Sequence, residues 1–136
     1  MGNLSSIDIS ASGLFAQRAR LDAIASNIAN ATTTRTSGGG PYRRQVVVLR
    51  ADTDPDTTEP RGVVVDAVVQ SSDPPKMIYE PSHPDAGPDG MVAMPNVNIV
   101  EEMVDMISAT RAYEANVQAI VAARVMAAKA LEIGRA

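Results

Sequence analysis

The chain has 136 residues, a net charge of −4, an aromatic content of 3% and no cysteine. The lack of cysteine excludes disulfides, thiolate nucleophiles and cysteine-ligated zinc, and an acidic chain with one adjacent basic pair lacks the surface that binds nucleic acid. The apolar runs are too short to cross a bilayer, so we expect no direct membrane insertion. Because large core side chains are scarce, we also expect a thin hydrophobic core in the free monomer.

Proline divides the chain into three parts. All nine prolines lie between Pro41 and Pro95, so both ends can be helical whereas the middle cannot. We therefore predict an α+β fold, mainly α, in which long terminal helices pair as a coiled-coil-like layer. The predicted segments are an N-terminal helical segment (1–34), a β-rich insert (35–96) and a C-terminal helical segment (97–136).

The first segment has a heptad pattern. Ile7, Leu14, Leu21 and Ile28 recur every seven residues, which predicts a helix over residues 5–30 with one apolar stripe. Threonines and a run of three glycines follow and are expected to end it. The opposite face is expected to be polar and to carry Gln17, Arg20 and Asp22.

The insert contains three runs that are typical of strands. Residues 42–50 and 62–70 are rich in valine, and residues 76–79 form a shorter run. An acidic loop over residues 52–61 joins the first two, and residues 81–90 are rich in turn formers. We expect a small β-hairpin or a three-stranded patch on top of the helix pair.

A second long helix is predicted over residues 98–132. Asn96 or Asn98 can cap it, and Glu101 and Glu102 place negative charge at its N-terminus, where the helix dipole favours it. A helix of this length would measure about 50 Å, which suits a filamentous assembly better than a small globule.

The second helix also has an apolar stripe, but polar residues interrupt it. Thr110, Arg111 and Glu114 lie in the interruption, where we expect a register shift or a polar contact with a neighbouring molecule. The apolar positions are Val100, Met103, Val104, Ile107, Val117, Ile120, Val121, Val125, Ala128 and Leu131.

His83 is the only histidine and the best candidate for chemistry. With Asp85 and Asp89 it could form a metal site or an acid–base pair, but a proline-rich loop lacks the rigid ligand spacing of such sites. A turn residue with a structural hydrogen bond is the favoured interpretation. We predict no catalytic residue, no metal and no cofactor, and an enzyme built around His83 is disfavoured.

Two blocks of sequence resemble a known family. Residues 25–30, Ala-Ser-Asn-Ile-Ala-Asn, followed by Thr33, resemble the N-terminal signature of the flagellar axial proteins of rod, hook and hook–filament junction. The signature usually continues with Gly-Tyr, where this chain has Thr34-Arg35. Residues 79–86, 95–98 and 101–116 are similar to the proximal rod members of that family.

This resemblance implies a structural role. Such a subunit would polymerise with copies of itself and with other rod proteins into the torque-transmitting shaft and export channel of the basal body. It would leave the cell through the flagellar type III export apparatus without a cleaved signal peptide, and the rod would cross the periplasm. The alternative is a coiled-coil adaptor or an export chaperone of a flagellar or type III secretion system.

The stripes and the resemblance together predict the helix junctions and subunit contacts. We expect them at Ile7, Leu14, Leu21, Asn27, Ile28, Asn30, Pro95, Asn96, Glu101, Glu102, Met103, Ile107, Arg111, Tyr113, Glu114, Asn116 and Val117.

Overall fold

The structure is a computed structural model that describes residues 2–56 and 59–135, with side chains described from residue 6 onward. The elements in chain order are α1 (Gly2–Ala29), β1 (Gln45–Thr53), β2 (Pro60–Gln70), β3 (Lys76–Tyr79), β4 (Met91–Met94) and α2 (Ile99–Ile133). Two long terminal helices therefore flank a small β-rich insert along the chain, which confirms the predicted α+β class. The predicted segment ends at residues 1 and 136, and two residues of the predicted loop, Thr57 and Thr58, lie outside the described ranges.

The two helices lie antiparallel with small side chains between them. Asn27, near the end of α1, bonds to Glu102, near the start of α2, whereas Gly13 faces Asn116 further along. The buried hydrophobic residues of the described chain are Ala16, Ala23, Ile24, Val92, Val97, Ala109 and Ala123. Four of these seven are alanine, so the core is as thin as the composition predicts.

The start of α2 is fixed by a side-chain cap. Asn98 is the N-cap of α2, because its side chain accepts a hydrogen bond of 3.1 Å from the Val100 amide. Of the two predicted caps, Asn98 is therefore the correct one. α1 begins at Gly2, three residues before the predicted start, and ends at Ala29 beside Asn30.

β1 and β2 form an antiparallel hairpin that packs on α1. Register shifts after Val48 and after Asp52 mark two irregularities in the ladder. The hydroxyl of Ser12 in α1 accepts a hydrogen bond of 3.0 Å from the Val63 amide. Gly62 has φ +142°, and a Cβ there would overlap Ser12, so glycine permits this close approach of strand and helix.

β3 and β4 form a second, separate two-stranded sheet. The expected hairpin is present as β1 and β2, but β3 does not extend it into a three-stranded patch, and the strand at Met91–Met94 was missed. A four-residue run carries little propensity signal of its own, and β4 exists because the turn before it returns the chain to β3. Gly90 allows that return, since its φ is +75° and a Cβ there would lie 2.7 Å from the Tyr79 ring.

Candidate assembly interface

A polar cluster with two buried members, Asn27 and Glu102, joins the end of α1, the start of β1 and the start of α2. Its members, called the polar junction here, are Asn27, Tyr42, Arg44, Gln45 and Glu102. The Asn27 side chain accepts hydrogen bonds from the Gln45 amide (2.8 Å) and the Tyr42 hydroxyl (3.0 Å). It donates to the Gln45 carbonyl (2.9 Å) and to Glu102 Oε2 (3.0 Å). Asn27 thus holds both backbone groups of Gln45, as a neighbouring strand would.

Glu102 carries the buried negative charge of the polar junction. Its relative exposure is 0%, Oε2 accepts from Asn27, and Oε1 accepts from Arg44 Nε. Arg44 is 30% exposed and also lies 3.6 Å from Asp105 Oδ2. The first turn of α2 adds partial positive charge around the carboxylate. Burial of this charge is tolerated because both oxygens are paired, which makes Glu102 a structural group rather than a reactive one.

The helices come closest where Gly13 faces Asn116. A Cβ at Gly13 would lie 2.9 Å from both terminal atoms of the Asn116 amide. The Asn116 Nδ2 donates a hydrogen bond of 2.9 Å to the Ala112 carbonyl, which folds the side chain along its own helix. Glycine and a folded-back asparagine together set the separation of α1 and α2 at this level.

Side chains tie the end of α1 to the loop before β4. Asn30 donates to the Ser26 carbonyl (2.9 Å) and accepts from the Thr33 hydroxyl (3.1 Å), which caps the last turn. Thr34 donates a hydrogen bond of 2.7 Å to Asp85, and Arg35 forms an ion pair with the same carboxylate. The Thr34 hydrogen bond is the largest cause that lowers the pKa of Asp85 below its ordinary value. Desolvation opposes it, and the hydrogen bond and positive charge of Arg35 lower the pKa further.

His83 lies in the turn that precedes β4. Its Nδ1 accepts a hydrogen bond of 3.0 Å from the Asp85 amide, and its backbone carbonyl accepts one of 3.0 Å from Ala86. These bonds confirm the turn interpretation of the histidine. Among the described residues, no group of three or more histidine, aspartate or glutamate side chains could hold a metal ion.

Neither helix in the described part of the chain is apolar enough over a sufficient length to cross a membrane.

The large apolar residues of α2 point away from α1. The side of α2 that contacts α1 carries Glu102, Ala109, Asn116 and Ala123. The opposite side is called the outer face of α2, and its apolar members are all half or more exposed: Val100, Met103, Val104, Ile107, Val121 and Val125. The stripe therefore leaves a long apolar surface open instead of filling the intramolecular core.

Small side chains form the contact between the two helices. These small side chains let the two backbones approach closely. On α1, Gln17 and Arg20 are half-buried, and only Asp22 of the three predicted outward polar residues is exposed.

Part of the predicted site meets within the chain. Asn27 and Glu102 bond to each other, Asn116 faces Gly13, and Asn30 caps α1. Pro95 is buried just before α2. The other predicted positions that are half-buried are Ile7, Leu14, Leu21, Ile28, Asn96 and Val117.

The rest of the predicted site lies on α2 and is exposed. These positions are Glu101, Met103, Ile107, Arg111, Tyr113 and Glu114. Their role as contacts between subunits stays a prediction.

Three members of the polar junction were not predicted. Tyr42 and Arg44 have visible signals, since one is among four aromatic residues and the other belongs to the one adjacent basic pair. Their partners, however, are 15 and 58 positions away along the chain. Gln45 contributes only backbone groups, so its side chain leaves no signal.

Two family models match the chain. Residues 7–35 match "Flagella basal body rod protein", and residues 89–133 match "Flagellar basal body rod FlgEFG protein C-terminal". These regions include α1 after its first turns, β4 and α2.

Curated relatives match nearly the whole chain. The chain is 44% identical to the flagellar basal-body rod protein FlgC of Borreliella burgdorferi, covering 98% of each chain. It is 42% identical to FlgC of Salmonella typhimurium, over 99% of this chain and 100% of the relative. It is 39% identical to FlgC of Bacillus subtilis, over 96% and 97% of the two chains.

Proposed function

Because the chain belongs to the family of the flagellar basal-body rod protein FlgC, we propose that it is built into the proximal rod, the part of the shaft nearest the cell. It is a structural subunit of the flagellar basal-body rod and not an enzyme. The single observation that carries the proposal is the near full-length match to relatives that are named as rod proteins. Nothing in these matches favours an adaptor or export chaperone.

The paired helices form the inner layer of the rod in this proposal. Segments 1–34 and 97–136 line the shaft and its export channel, and the insert over 35–96 lies at larger radius. The exposed apolar face of α2 supports this arrangement, since such a surface on a small chain marks an interaction site. The polar junction supports it as well, because it fixes the first strand of the insert to both helices and so transmits torque between the layers.

Copies of the chain and other rod proteins are the partners in the assembled shaft. Heterologous contacts that do not close on themselves generate a helical tube rather than a ring. The flagellar type III export apparatus is the transient partner, and it passes the chain in an unfolded state. A thin core lowers the cost of that unfolding.

The test is complementation followed by isolation of basal bodies. Cells that lack their own copy of this protein should regain motility with the chain, and the chain should remain in basal bodies washed free of cytoplasm. A matched control is a His83→Ala variant, which should complement equally if no chemistry resides at that residue. Recovery of the chain only from the cytoplasm would favour an adaptor and contradict the rod assignment.

A further inference from the structure

The side of α1 that faces away from α2 and from the hairpin is exposed and carries one large aromatic residue. This side, called the outer face of α1, consists of Ala11, Phe15, Arg18, Asp22, Ala25 and Ala29. Apart from half-buried Ala11, all are exposed, and Phe15 is 72% exposed. Their spacing of three and four residues places them on one side of the helix.

Charged side chains on the two outer faces have no ion-pair partner among the described residues. Arg18 and Asp22 lie on the outer face of α1, and Arg111 and Glu114 lie on the outer face of α2 between its two apolar halves. In the described part of the chain none of these four side chains forms an ion pair. Two complementary pairs are therefore available to another molecule.

The order of the charges selects one orientation. Along each helix the basic residue comes first and the acidic residue follows three or four positions later. If the two helices ran parallel with their basic residues level, Arg18 would face Arg111 and like charges would repel. Antiparallel helices place Arg18 opposite Glu114 and Asp22 opposite Arg111, and both contacts are attractive.

The same antiparallel register matches small residues with large ones. Ala25 then lies level with Ile107, and Ala29 lies level with Met103. Alanines on one face leave room for the large apolar side chains of the other, which is how helices pack ridges into grooves. Phe15 comes to lie between the levels of Glu114 and Val121, just past the interruption of the apolar stripe.

We infer that the outer face of α1 in one copy packs antiparallel on the outer face of α2 in a second copy, held in register by Arg18–Glu114 and Asp22–Arg111. This inference rests on the proposed function, since it names the contact through which copies in the rod adjoin. Both surfaces belong to this chain, and their charges complement each other, so a second copy is the partner that fits.

The register also gives the displacement between copies. Arg18 lies five positions after Gly13, and Arg111 lies five positions before Asn116, so these two residues are level within one chain. Between copies Arg18 is level with Glu114 instead. A shift of about three residues, at 1.5 Å each, moves the second copy about 4.5 Å along the helix axis. Such a contact is heterologous and builds a helical array rather than a closed ring.

Cross-linking between copies tests the contact directly, since the chain contains no cysteine. Cells would carry two tagged versions, Ala25→Cys and Ile107→Cys, and isolated basal bodies would be treated with a short thiol-specific cross-linker. The matched control replaces Ile107→Cys by Ser108→Cys, which is exposed at the same level but about 100° around the helix. We expect about tenfold more cross-linked dimer carrying both tags with Ile107→Cys than with the control.

Each outcome of the cross-linking decides the inference. Equal yields with both partners, or adducts of Ala25→Cys with a different rod protein only, would overturn it while leaving the rod assignment intact. Absence of the chain from basal bodies would overturn the proposed function first.

Charge reversal is a second, independent test. Arg18→Glu and Glu114→Arg should each reduce swimming and the amount of chain in basal bodies, and the double variant should restore both. Arg124→Glu, an exposed reversal elsewhere on α2, should have little effect and serves as the control. If the double variant swam no better than the single variants and left no more chain in basal bodies, the proposed register would be contradicted.

Discussion

Asn27 and Glu102 show how single polar residues hold this small fold together. Each has its side-chain atoms paired inside the molecule, and one hydrogen bond of 3.0 Å joins them across 75 positions of the chain. A buried carboxylate without partners would be costly, so the contribution of this pair depends on the whole polar junction being intact.

Removal of the junction carboxylate should destabilise the chain. Breaking a buried ion pair costs about 3–5 kcal/mol, and because Arg44 is partly exposed we expect about 2–3 kcal/mol for Glu102→Ala. Denaturation by urea would measure the change in the free energy of unfolding. Glu101→Ala, the exposed neighbour in the same helix turn, is the control and should change it little. Equal losses in the two variants would show that the junction contributes nothing.

Asp85 should make the loop before β4 sensitive to acid. Its pKa is lowered in the folded chain, so its contribution to stability is present above the ordinary carboxyl pKa and is lost as the pH falls through the folded pKa. In acid the protonated carboxyl group loses its ion pair with Arg35 and no longer accepts the hydrogen bond from the Thr34 hydroxyl as a carboxylate. NMR titration should show the amide signals near Thr34 moving with the Asp85 carboxyl. In Asp85→Asn that movement should vanish, and its persistence would assign it to another group.

At the scale of elements, close approach depends on glycine at two places. Gly13 lets α1 meet α2, and Gly62 lets β2 meet α1. Gly13 lies in a helix interior, where glycine costs stability relative to alanine. Its close contact with the Asn116 side chain explains why glycine suits this position.

The contact between the helices can be tested with a double-mutant cycle. Gly13→Ala should destabilise the chain or gain nothing, because the new Cβ meets the Asn116 amide. In an Asn116→Ala background the same change should stabilise it by about 1 kcal/mol, the usual helix preference for alanine. Thermal unfolding of the wild type, the two single variants and the double variant gives the coupling free energy between positions 13 and 116. A gain of equal size in both backgrounds would mean that Asn116 does not restrict this position.

The contact between the hairpin and α1 offers a matched pair of glycines. Gly62→Ala should cost about 1–3 kcal/mol, because alanine is strained at φ +142° and its Cβ overlaps Ser12. Gly38→Ala, with open space around it and no positive φ, should be neutral or slightly stabilising. Urea denaturation would compare the two variants. A loss at Gly38 as large as that at Gly62 would refute the steric explanation.

At the scale of the whole molecule, the chain buries few hydrophobic side chains and exposes many large ones. The described core has seven buried hydrophobic residues, whereas α2 alone exposes a long apolar face. Association with neighbours would cover that face and supply the burial that the monomer lacks.

The free chain should therefore be marginally stable. We expect a free energy of unfolding at or below about 5 kcal/mol, the lower end of the range for folded domains. Urea and thermal denaturation of the purified monomer, followed by circular dichroism, would measure it. A cooperative transition with a free energy of unfolding near 10 kcal/mol would contradict the expected marginal stability, and with it the proposal that the chain unfolds easily for export.

The sequence by itself determined the existence and type of the main elements. Proline confined to the middle leaves both ends helical, and the valine runs form β1 and β2, because these are local properties of the backbone. Local chemistry also predicted the turn at His83 and a cap at Asn96 or Asn98, of which the structure uses Asn98.

Only the tertiary structure decided which surfaces are covered. Periodicity identified the apolar stripe of α2, but it cannot say whether the same chain or another one covers an apolar face, and the helices met instead through Ala109 and Ala123. The pairing of β4 with β3 and the partners of Arg44 depend on contacts between distant positions, to which no local pattern refers. Local preference thus set the elements, whereas packing and the pairing of charges between distant positions set which surfaces are buried.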